Sequence, residues 1–140
     1  PSIGVEGGNL HAQAFEQLME AFRLPKEAGE RPNAIREATL HAAQVPLEVI
    51  RKALRVLELA AEALEHGNLN ALSDAAVGTV LAQAAVFGAG LNVRTNLSGL
   101  GDEAASAPLL AELGALEARL AALMAQVRLL LSERGGFTLP

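Results

Sequence analysis

The chain contains no cysteine, tyrosine or tryptophan, and only four phenylalanines occur in its 140 residues. Without cysteine there is no disulfide, no thiolate nucleophile and no cysteine-based metal site, and this composition fits a cytoplasmic protein. The few aromatic rings and the net charge of −5 leave little with which to stack bases or attract phosphates. We therefore expect no nucleic acid among the partners.

Several functional motifs are also missing. There is no P-loop, no nucleotide-binding glycine fingerprint and no nucleophile elbow. The spacing of His11, His41 and His66 is not typical of a metal site, so we predict no bound metal. The N-terminal segment lacks the charged-then-apolar order of a signal peptide.

Apolar residues, in contrast, are abundant. They make up 51% of the chain, and the 13 glycines bring the share to about 60%, against roughly 45–50% in typical domains counted in the same way. A domain of this size does not need so much apolar surface for its own core. The excess predicts an interface in a homodimer or a larger homo-oligomer.

Residues 75–93 carry no charge and are bracketed by polar motifs at both ends. The stretch is long enough to cross a bilayer. However, small residues recur every three or four positions along one helical face, where another backbone can approach closely. They are Ala75, Thr79, Ala82, Ala85 and Ala89. No flanking anchors accompany the stretch, so we predict a helix buried in protein and no membrane contact.

The chain is rich in leucine and alanine, and no stretch shows sustained apolar/polar alternation. This pattern predicts an all-α fold, an up-and-down bundle of long antiparallel helices. The predicted helices span residues 10–22, 32–66, 71–97 and 108–134. We assign residues 1–140 to a single domain, with residues 1–9 as a tail or stub.

Helix boundaries are expected at prolines, glycines and polar caps. Asn9 is the expected N-cap of the first helix, and Gly67 is the expected C-terminal cap of the second. Pro46 removes a hydrogen bond inside the second helix and predicts a kink or break near residues 44–45. Residues 98–107 contain glycine and serine and are expected to form a loop.

Polar side chains cluster at the two ends of the third predicted helix. Asn70, Ser73 and Asp74 lie at its start, where they could serve a ligand or simply cap the helix and complement its dipole. Asn92 and Asn96 lie four residues apart on one face near its end. Their amides suit a planar amide or carboxylate ligand, or alternatively they satisfy the helix end. Both interpretations stay open on residue type alone.

Three cations accompany these groups. Arg94 lies between the two asparagines but faces elsewhere, while Arg23 and Lys26 flank a rigid turn. Each could bind a carboxylate, or could complete a solvated helix end.

The two polar ends are far apart along the helix axis. Asp74 and Asn92 are eighteen residues apart, which is five turns and about 27 Å. They share a face but cannot touch the same small group within one chain. They therefore serve separate sites, or meet across a subunit interface.

Four short motifs occur in order along the chain. They are Phe15 with MEAFRLPK at 19–26, VPLE at 45–48, GN, NA and SDA within 67–75, and NVR with NL within 92–97. In order and spacing they resemble the cyclodeaminase/cyclohydrolase family of folate enzymes, over roughly residues 12–134. That family includes the C-terminal domain of formiminotransferase-cyclodeaminase and free-standing methenyltetrahydrofolate cyclohydrolases.

The resemblance implies an all-helical fold that dimerises, with folate held near the subunit interface. It implies a tetrahydrofolate derivative as the substrate and no metal or other cofactor. Two related reactions are expected. One closes 5-formiminotetrahydrofolate to 5,10-methenyltetrahydrofolate and releases ammonia, and the other hydrolyses the methenyl compound to 10-formyltetrahydrofolate.

The resemblance also gives each candidate residue an expected role. Asp74 is the candidate for proton transfer beside the one-carbon bridge. The side chains expected to hold the pterin edge are Asn70, Ser73, Asn92 and Asn96. Those expected to meet the glutamate carboxylates are Arg23, Lys26 and Arg94.

The chain departs from the family near its N-terminus. Family members usually begin with a Pro-Gly-Gly-Gly-Ser-like loop and further helices, whereas nine residues precede Leu10 here, and an Asp is usual where His11 stands. These departures are compatible with a fragment, with a set of ordered residues from a longer protein, or with a diverged relative without catalysis. The competing hypothesis is a non-catalytic helical oligomer, a scaffold or ligand-binding module that kept the fold.

Overall fold

Four long helices account for most of the chain. The computed structural model describes residues 3–67, 69–136 and 138–139, and within these ranges there is no strand. The helices are α1 (Ile3–Arg23), α2 (Arg31–His66), α3 (Leu72–Leu100) and α4 (Glu103–Leu130). A short 3-10 turn, Leu69–Ala71, precedes α3, and a π turn, Leu131–Gly135, follows α4. The predicted all-α bundle is confirmed.

The core forms around α2, which packs against each of the other three helices. The buried side chains of α2 recur every three or four residues. They are Leu47, Ile50, Leu54, Leu57, Ala61 and Leu64. The buried stripe of α4 is formed by Leu109, Leu113, Leu120, Leu123 and Val127. Burial of each such leucine contributes about 1.5–3 kcal/mol, so these two stripes supply much of the stability of the bundle.

α1 begins earlier than predicted. It starts at Ile3, so Asn9 lies inside the helix and does not cap it, and residues 3–9 are helical rather than a tail. Residues 1 and 2 lie outside the described part of the chain. The three glycines between residues 4 and 8 weaken a helix by about 1 kcal/mol each, but they keep their amide protons. They therefore lower helix propensity without ending the hydrogen-bond ladder.

α2 runs through Pro46 without interruption, so of the kink or break predicted near residues 44–45 the break is wrong, while the kink stays a prediction. The proline removes one amide hydrogen bond, but its ring is fully buried, and apolar packing on both sides holds the helix together. Gly67 caps the C-terminal end as predicted, with its N–H donating to the Ala63 carbonyl at 2.6 Å. The guanidinium of Arg134 donates to two further carbonyls at this helix end.

The predicted loop at residues 98–107 is wrong, because only two residues separate α3 from α4. Gly101 has a φ of 67°, in the left-handed region that favours glycine, and it makes the turn. Asp102 then caps α4, with its Oδ1 accepting from the N–H of Ala105 at 3.0 Å. This cap, rather than Pro108, starts the helix.

α3 has one buried face and one exposed face. The predicted small-residue face packs into the bundle: Thr79, Ala82 and Ala89 are buried, and Ala75 and Ala85 are half-buried. Among the described helices, α3 alone is long and apolar enough to span a membrane, and 39% of its apolar window is buried. The prediction of a helix buried in protein therefore holds for one face, while the opposite apolar face remains uncovered in the single chain.

Candidate functional site

A cleft lies at the end of the bundle where α1 ends, α2 begins, α3 ends and α4 begins. Its volume is about 480 Å³. We call it the end cleft, and its lining residues are Leu18, Phe22, Pro32, Ile35, Arg36, Thr39, Thr95, Asn96, Gly99, Leu100 and Asp102. Separate helix ends thus contribute apolar and polar side chains to one concave surface, which is the usual form of a small-molecule site.

An ion pair fixes one wall of the end cleft. Arg36 on α2 donates from Nε to Oδ2 of Asp102 at 2.8 Å, while the other oxygen of Asp102 caps α4. The hydrogen bond from Arg36, followed by that from the Ala105 amide, holds the pKa of the Asp102 carboxyl below its usual range. The carboxylate is therefore ionised at neutral pH, and it joins the start of α2 to the start of α4.

Asn96 is the predicted site residue that the structure places in the end cleft. It is half-buried, and the Thr39 hydroxyl of α2 and the Phe22 ring of α1 line the same cleft. A carboxamide offers a donor and an acceptor side by side, and an aromatic ring offers a stacking surface. Together these groups suit the edge and the face of a flat heteroaromatic ring. Asn92 is exposed one helical turn away, on the same flank of α3.

Arg94 does not line the end cleft. Its guanidinium donates to both carboxylate oxygens of Glu117 on α4, each at 2.8 Å. This pairing lowers the pKa of Glu117 and raises the pKa of Arg94. The pair crosses over Gly90, where a Cβ would lie 3.1 Å from Oε1 of Glu117. Arg94 thus ties α3 to α4, and it borders a second cavity of about 750 Å³ at the start of α4.

The polar residues at the start of α3 lie at the opposite end of the bundle from the end cleft. Asn70 belongs to the 3-10 turn, and Ser73 and Asp74 are exposed in the first part of the helix. α3 is uninterrupted, so the separation of about 27 Å between Asp74 and Asn92 stands. A single chain does not bring these two groups together.

The two cations predicted to lie around the first turn are at the same end of the bundle as the end cleft. Arg23 is the last residue of α1, directly after the cleft residue Phe22, and Lys26 follows in the connection to α2. Both are exposed and neither lines the cleft. Arg31 donates from Nη2 to the Phe22 carbonyl at 3.4 Å, which ties the end of α1 to the start of α2.

The end cleft also contains residues that sequence reasoning missed, namely Arg36, Thr39 and Asp102. Arg36 and Asp102 are 66 residues apart, so no local motif links them. Asp102 does carry a local signal, because it follows a glycine and precedes Glu103, a pattern typical of a helix start.

Acidification is expected to weaken the two ion pairs of this region. The pKa values of Asp102 and Glu117 are lowered in the folded chain, so their contribution to stability is present above the ordinary carboxyl pKa and is lost as pH falls through the folded values. The thermal midpoint should therefore decline as pH drops below about 4.5. In the double variant Arg36→Met/Arg94→Met, the thermal midpoint should fall less steeply with decreasing pH. The same slope as in the unaltered chain would contradict the role of the two ion pairs.

The sequence matches the Formiminotransferase-cyclodeaminase family over residues 10–115, well over half of the chain. The chain belongs to this family. All the lining residues of the end cleft, from Leu18 to Asp102, fall inside the matched range.

Individual members of the family agree with this assignment. A methenyltetrahydrofolate cyclohydrolase from Methylorubrum extorquens is 40% identical over 119 residues, 77% of this chain and 57% of that protein. A formimidoyltransferase-cyclodeaminase from Gallus gallus is 36% identical over 96 residues, 66% of this chain and 18% of that protein. A crystal structure of formiminotetrahydrofolate cyclodeaminase from Thermotoga maritima matches with a TM-score of 0.81 and 26% identity, over 91% of this chain and 62% of that one. The chain thus spans less than two thirds of the length of each of these relatives.

Proposed function

We propose that the chain acts on the one-carbon group of a reduced folate. Family membership suggests the substrate class, and the end cleft offers a surface for a flat ring. The reactions are cyclisation of 5-formiminotetrahydrofolate with release of ammonia, or hydrolysis of 5,10-methenyltetrahydrofolate. The cyclohydrolase and cyclodeaminase relatives are named for one or the other of these reactions.

Both reactions need a proton to be transferred to or from an atom bonded to the carbon that bridges N5 and N10 of the folate. In cyclisation, N10 attacks the formimino carbon, the bond from that carbon to the imino nitrogen breaks, and the nitrogen takes up protons and leaves as ammonia. In hydrolysis, a water oxygen attacks the methenyl carbon, the bond from that carbon to N5 breaks, and one net proton is released. A carboxyl group beside this carbon can donate a proton in the first case and accept one in the second.

The observation that carries this proposal is the position of Asn96 in the end cleft. Its carboxamide shares the cleft with the Thr39 hydroxyl and the Phe22 ring. We assign Asn96 to hydrogen bonding with the pterin edge and Phe22 to contact with the pterin face. The Arg36–Asp102 pair borders the same space and joins α2 to the start of α4.

We assign Asp74 to proton transfer, and Asn70, Ser73 and Asn92 to substrate orientation. One chain separates Asp74 from Asn92 by about 27 Å, so in this proposal the two groups meet across a subunit interface. Ser73, Asp74 and Asn92 are exposed polar groups near the two ends of a helix whose stretch 75–93 carries no charge, and Asn70 precedes them in the 3-10 turn. Exposure leaves the three helical side chains open to contact by a ligand.

We assign the glutamate tail of the folate to Arg23 and Lys26. Both cations are exposed at the same end of the bundle as the end cleft, where a tail leaving the cleft can meet them. Arg94 was an equal candidate by sequence, but Glu117 already occupies two of its donors. A carboxylate ligand at Arg94 would have to displace Glu117, so Arg94 is the weaker candidate of the three.

We also propose that the protein acts as a cytoplasmic homodimer and needs no metal or cofactor beyond the folate. The exposed apolar face of α3 supports the dimer. The absence of cysteine fits a reducing compartment. The acid–base steps described above require only a proton-transferring group and water.

Calorimetry is expected to detect binding of tetrahydrofolate derivatives, with an affinity for polyglutamylated forms that falls as salt rises. The variant Arg23→Gln/Lys26→Gln should bind a polyglutamylated folate about five- to thirtyfold more weakly, because each exposed charge contributes roughly 0.5–1 kcal/mol. It should also lose most of the salt dependence. The matched variant Lys52→Gln/Arg55→Gln removes the same charge from the middle of α2 and should change neither property.

Two outcomes would count against this proposal. Equal weakening by both double variants would contradict the assignment of the glutamate tail to Arg23 and Lys26. No heat of binding with any tetrahydrofolate derivative would contradict the substrate class itself.

A further inference from the structure

A second cavity, which we call the α4 cavity, lies between the end of α3 and the start of α4. Its volume of about 750 Å³ falls within the range of roughly 300–1,000 Å³ that small-molecule sites occupy. On α3 it is lined by Arg94, Leu97 and Ser98, which lie about half a turn around the helix axis from the residues that line the end cleft. The α4 cavity is therefore a separate concave surface, although Asp102 borders both cavities.

Most of the lining of the α4 cavity is apolar. Leu97 of α3 is buried, and Leu110 of α4 is 42% exposed. Ala107 lies one turn before Leu110 on the same face of α4, and its small exposed side chain leaves the space in front of it open. Covering these groups removes apolar surface from water, which favours a ligand with an apolar body.

The lining also contains a buried hydroxyl group without a partner. Ser106 is 6% exposed, and its Oγ has no hydrogen-bond partner within the part of the chain that the structure describes. The buried hydroxyl of Thr79, in contrast, donates to the Ala75 carbonyl at 2.8 Å. Buried polar groups without a partner are uncommon, because the group has lost its contact with water and gained nothing in return. Rotation about χ1 can turn the Oγ of Ser106 toward a ligand without moving the helix.

The charged groups around the α4 cavity are already paired or solvated. Arg94 donates to both carboxylate oxygens of Glu117, and Asp102 accepts from Arg36, each at 2.8 Å. Glu103, the remaining charged residue of the lining, is exposed and therefore solvated. A charged ligand would give up its own hydration here without gaining an unpaired counter-charge. An uncharged ligand avoids this cost.

We propose that the α4 cavity binds an uncharged, mostly apolar molecule whose carboxamide group hydrogen-bonds to Ser106. A carboxamide carries a donor and an acceptor, and a serine hydroxyl can pair with either. The apolar body of the ligand covers Leu97 and Leu110. None of the residues assigned above to the folate ring or to its reaction lines this cavity. The proposal therefore stands independently of the proposed function.

Three probes of the same shape and different charge test the ligand class. Benzamide is neutral, benzoate is negative and benzamidinium is positive, and each is a benzene ring that bears a planar carbon with two heteroatoms. Methyl NMR spectra of the full chain, labelled at leucine, locate each probe, because Leu97 and Leu110 line the α4 cavity whereas Leu18 lines the end cleft. We expect benzamide to shift the methyl signals of Leu97 and Leu110 at concentrations about fivefold or more below those needed for the two charged probes.

Two pairs of variants test the residues. Ser106→Ala should weaken benzamide binding about three- to tenfold without lowering the melting temperature, because its hydroxyl has no hydrogen bond to lose. Thr79→Val removes a buried hydroxyl that does donate, outside the α4 cavity, so it should lower the melting temperature and leave benzamide binding unchanged. Ala107→Trp should fill the cavity and abolish binding there, whereas Ala121→Trp, at an exposed position farther along α4, should not.

Several results would overturn the proposal. Benzamide that shifts Leu18 alone, or that shifts no leucine at about 20 mM, would remove the α4 cavity as its site. Unchanged binding in Ser106→Ala and Ala107→Trp would do the same. Tighter binding of benzoate or benzamidinium would contradict an uncharged ligand. A melting temperature of Ser106→Ala that falls as far as that of Thr79→Val would give the Ser106 hydroxyl a structural partner and end its assignment to a ligand.

Discussion

Replacing Asp74 with asparagine is expected to lower turnover by about a hundredfold or more while the melting temperature stays nearly unchanged. Asparagine keeps the size of the side chain but cannot transfer the proton as a carboxyl group does. Asp74 is exposed near the start of α3, so its charge contributes only about 0.3–1 kcal/mol to stability through the helix dipole. A large loss of rate with a small loss of stability therefore separates chemistry from helix capping.

The matched control for this experiment is Glu103→Gln. Glu103 is also an exposed acid in the first turn of a long helix, but it lies on α4 and has no assigned role in the reaction. Formation and hydrolysis of methenyltetrahydrofolate can be followed by absorbance for both variants, alongside thermal unfolding. Equal and small effects on turnover would end the catalytic assignment of Asp74 and leave it as a carboxylate that complements the helix dipole.

Truncation of Leu57 to alanine is expected to lower the free energy of unfolding by about 2–5 kcal/mol. Leu57 is fully buried in the central stripe of α2, and the smaller side chain leaves a cavity that its packed neighbours cannot fill. Leu59→Ala is the matched control, because Leu59 lies on the same helix and is 47% exposed. That change should cost less than about 1 kcal/mol.

Urea unfolding at one fixed protein concentration is the appropriate measurement, because association adds stability that depends on concentration. Similar losses for Leu57→Ala and Leu59→Ala would mean that the α2 stripe does not form the core. A large loss for Leu57→Ala alone would support the packing described here.

The helices could be predicted from the sequence because the same residues that favour a helix also form its buried stripe. Leu47, Leu54, Leu57 and Leu64 recur at helical spacing, and the folded chain buries all four. Local propensity and tertiary packing point to the same structure along this stretch. Where local propensity and tertiary packing agree in this way, the helix can be predicted from the sequence.

Helix ends were harder to predict where two local signals conflict. At residues 98–107 the two serines, the two glycines and the following Pro108 favoured a loop, whereas Asp102 offered an N-cap directly after a glycine that could make a tight turn. The cap satisfies free amides of α4, so the helix starts there and carries the proline inside it. At residues 3–9 the glycines lower helix propensity but remove no hydrogen bond.

The candidate site was only partly predictable, because its polar partners are distant in sequence. Asn96 could be found from its place in a family-like motif at the end of α3. The Arg36–Asp102 pair could not, since it depends on how the start of α2 meets the start of α4 across 66 residues. The partner of Arg94 depends in the same way on the packing of α3 against α4, which brings Glu117 within reach.

The exposure of one α3 face shows a further limit of sequence reasoning. The uncharged stretch at residues 75–93 predicted a buried helix, and the single chain buries only one side of it. Composition reports how much apolar surface must be covered, but it does not say whether the same chain or a second copy covers it. The high apolar share of the whole chain predicts an interface between copies, and this stays a prediction.

The central claim is that this chain converts a one-carbon group on a reduced folate. The most direct test mixes the purified chain with 5-formiminotetrahydrofolate and follows methenyltetrahydrofolate absorbance and released ammonia together, with hydrolysis of methenyltetrahydrofolate as a second arm. We expect conversion in at least one arm, with ammonia equal to the methenyl compound formed in the first. No conversion in either arm above the rate measured without protein would contradict the claim.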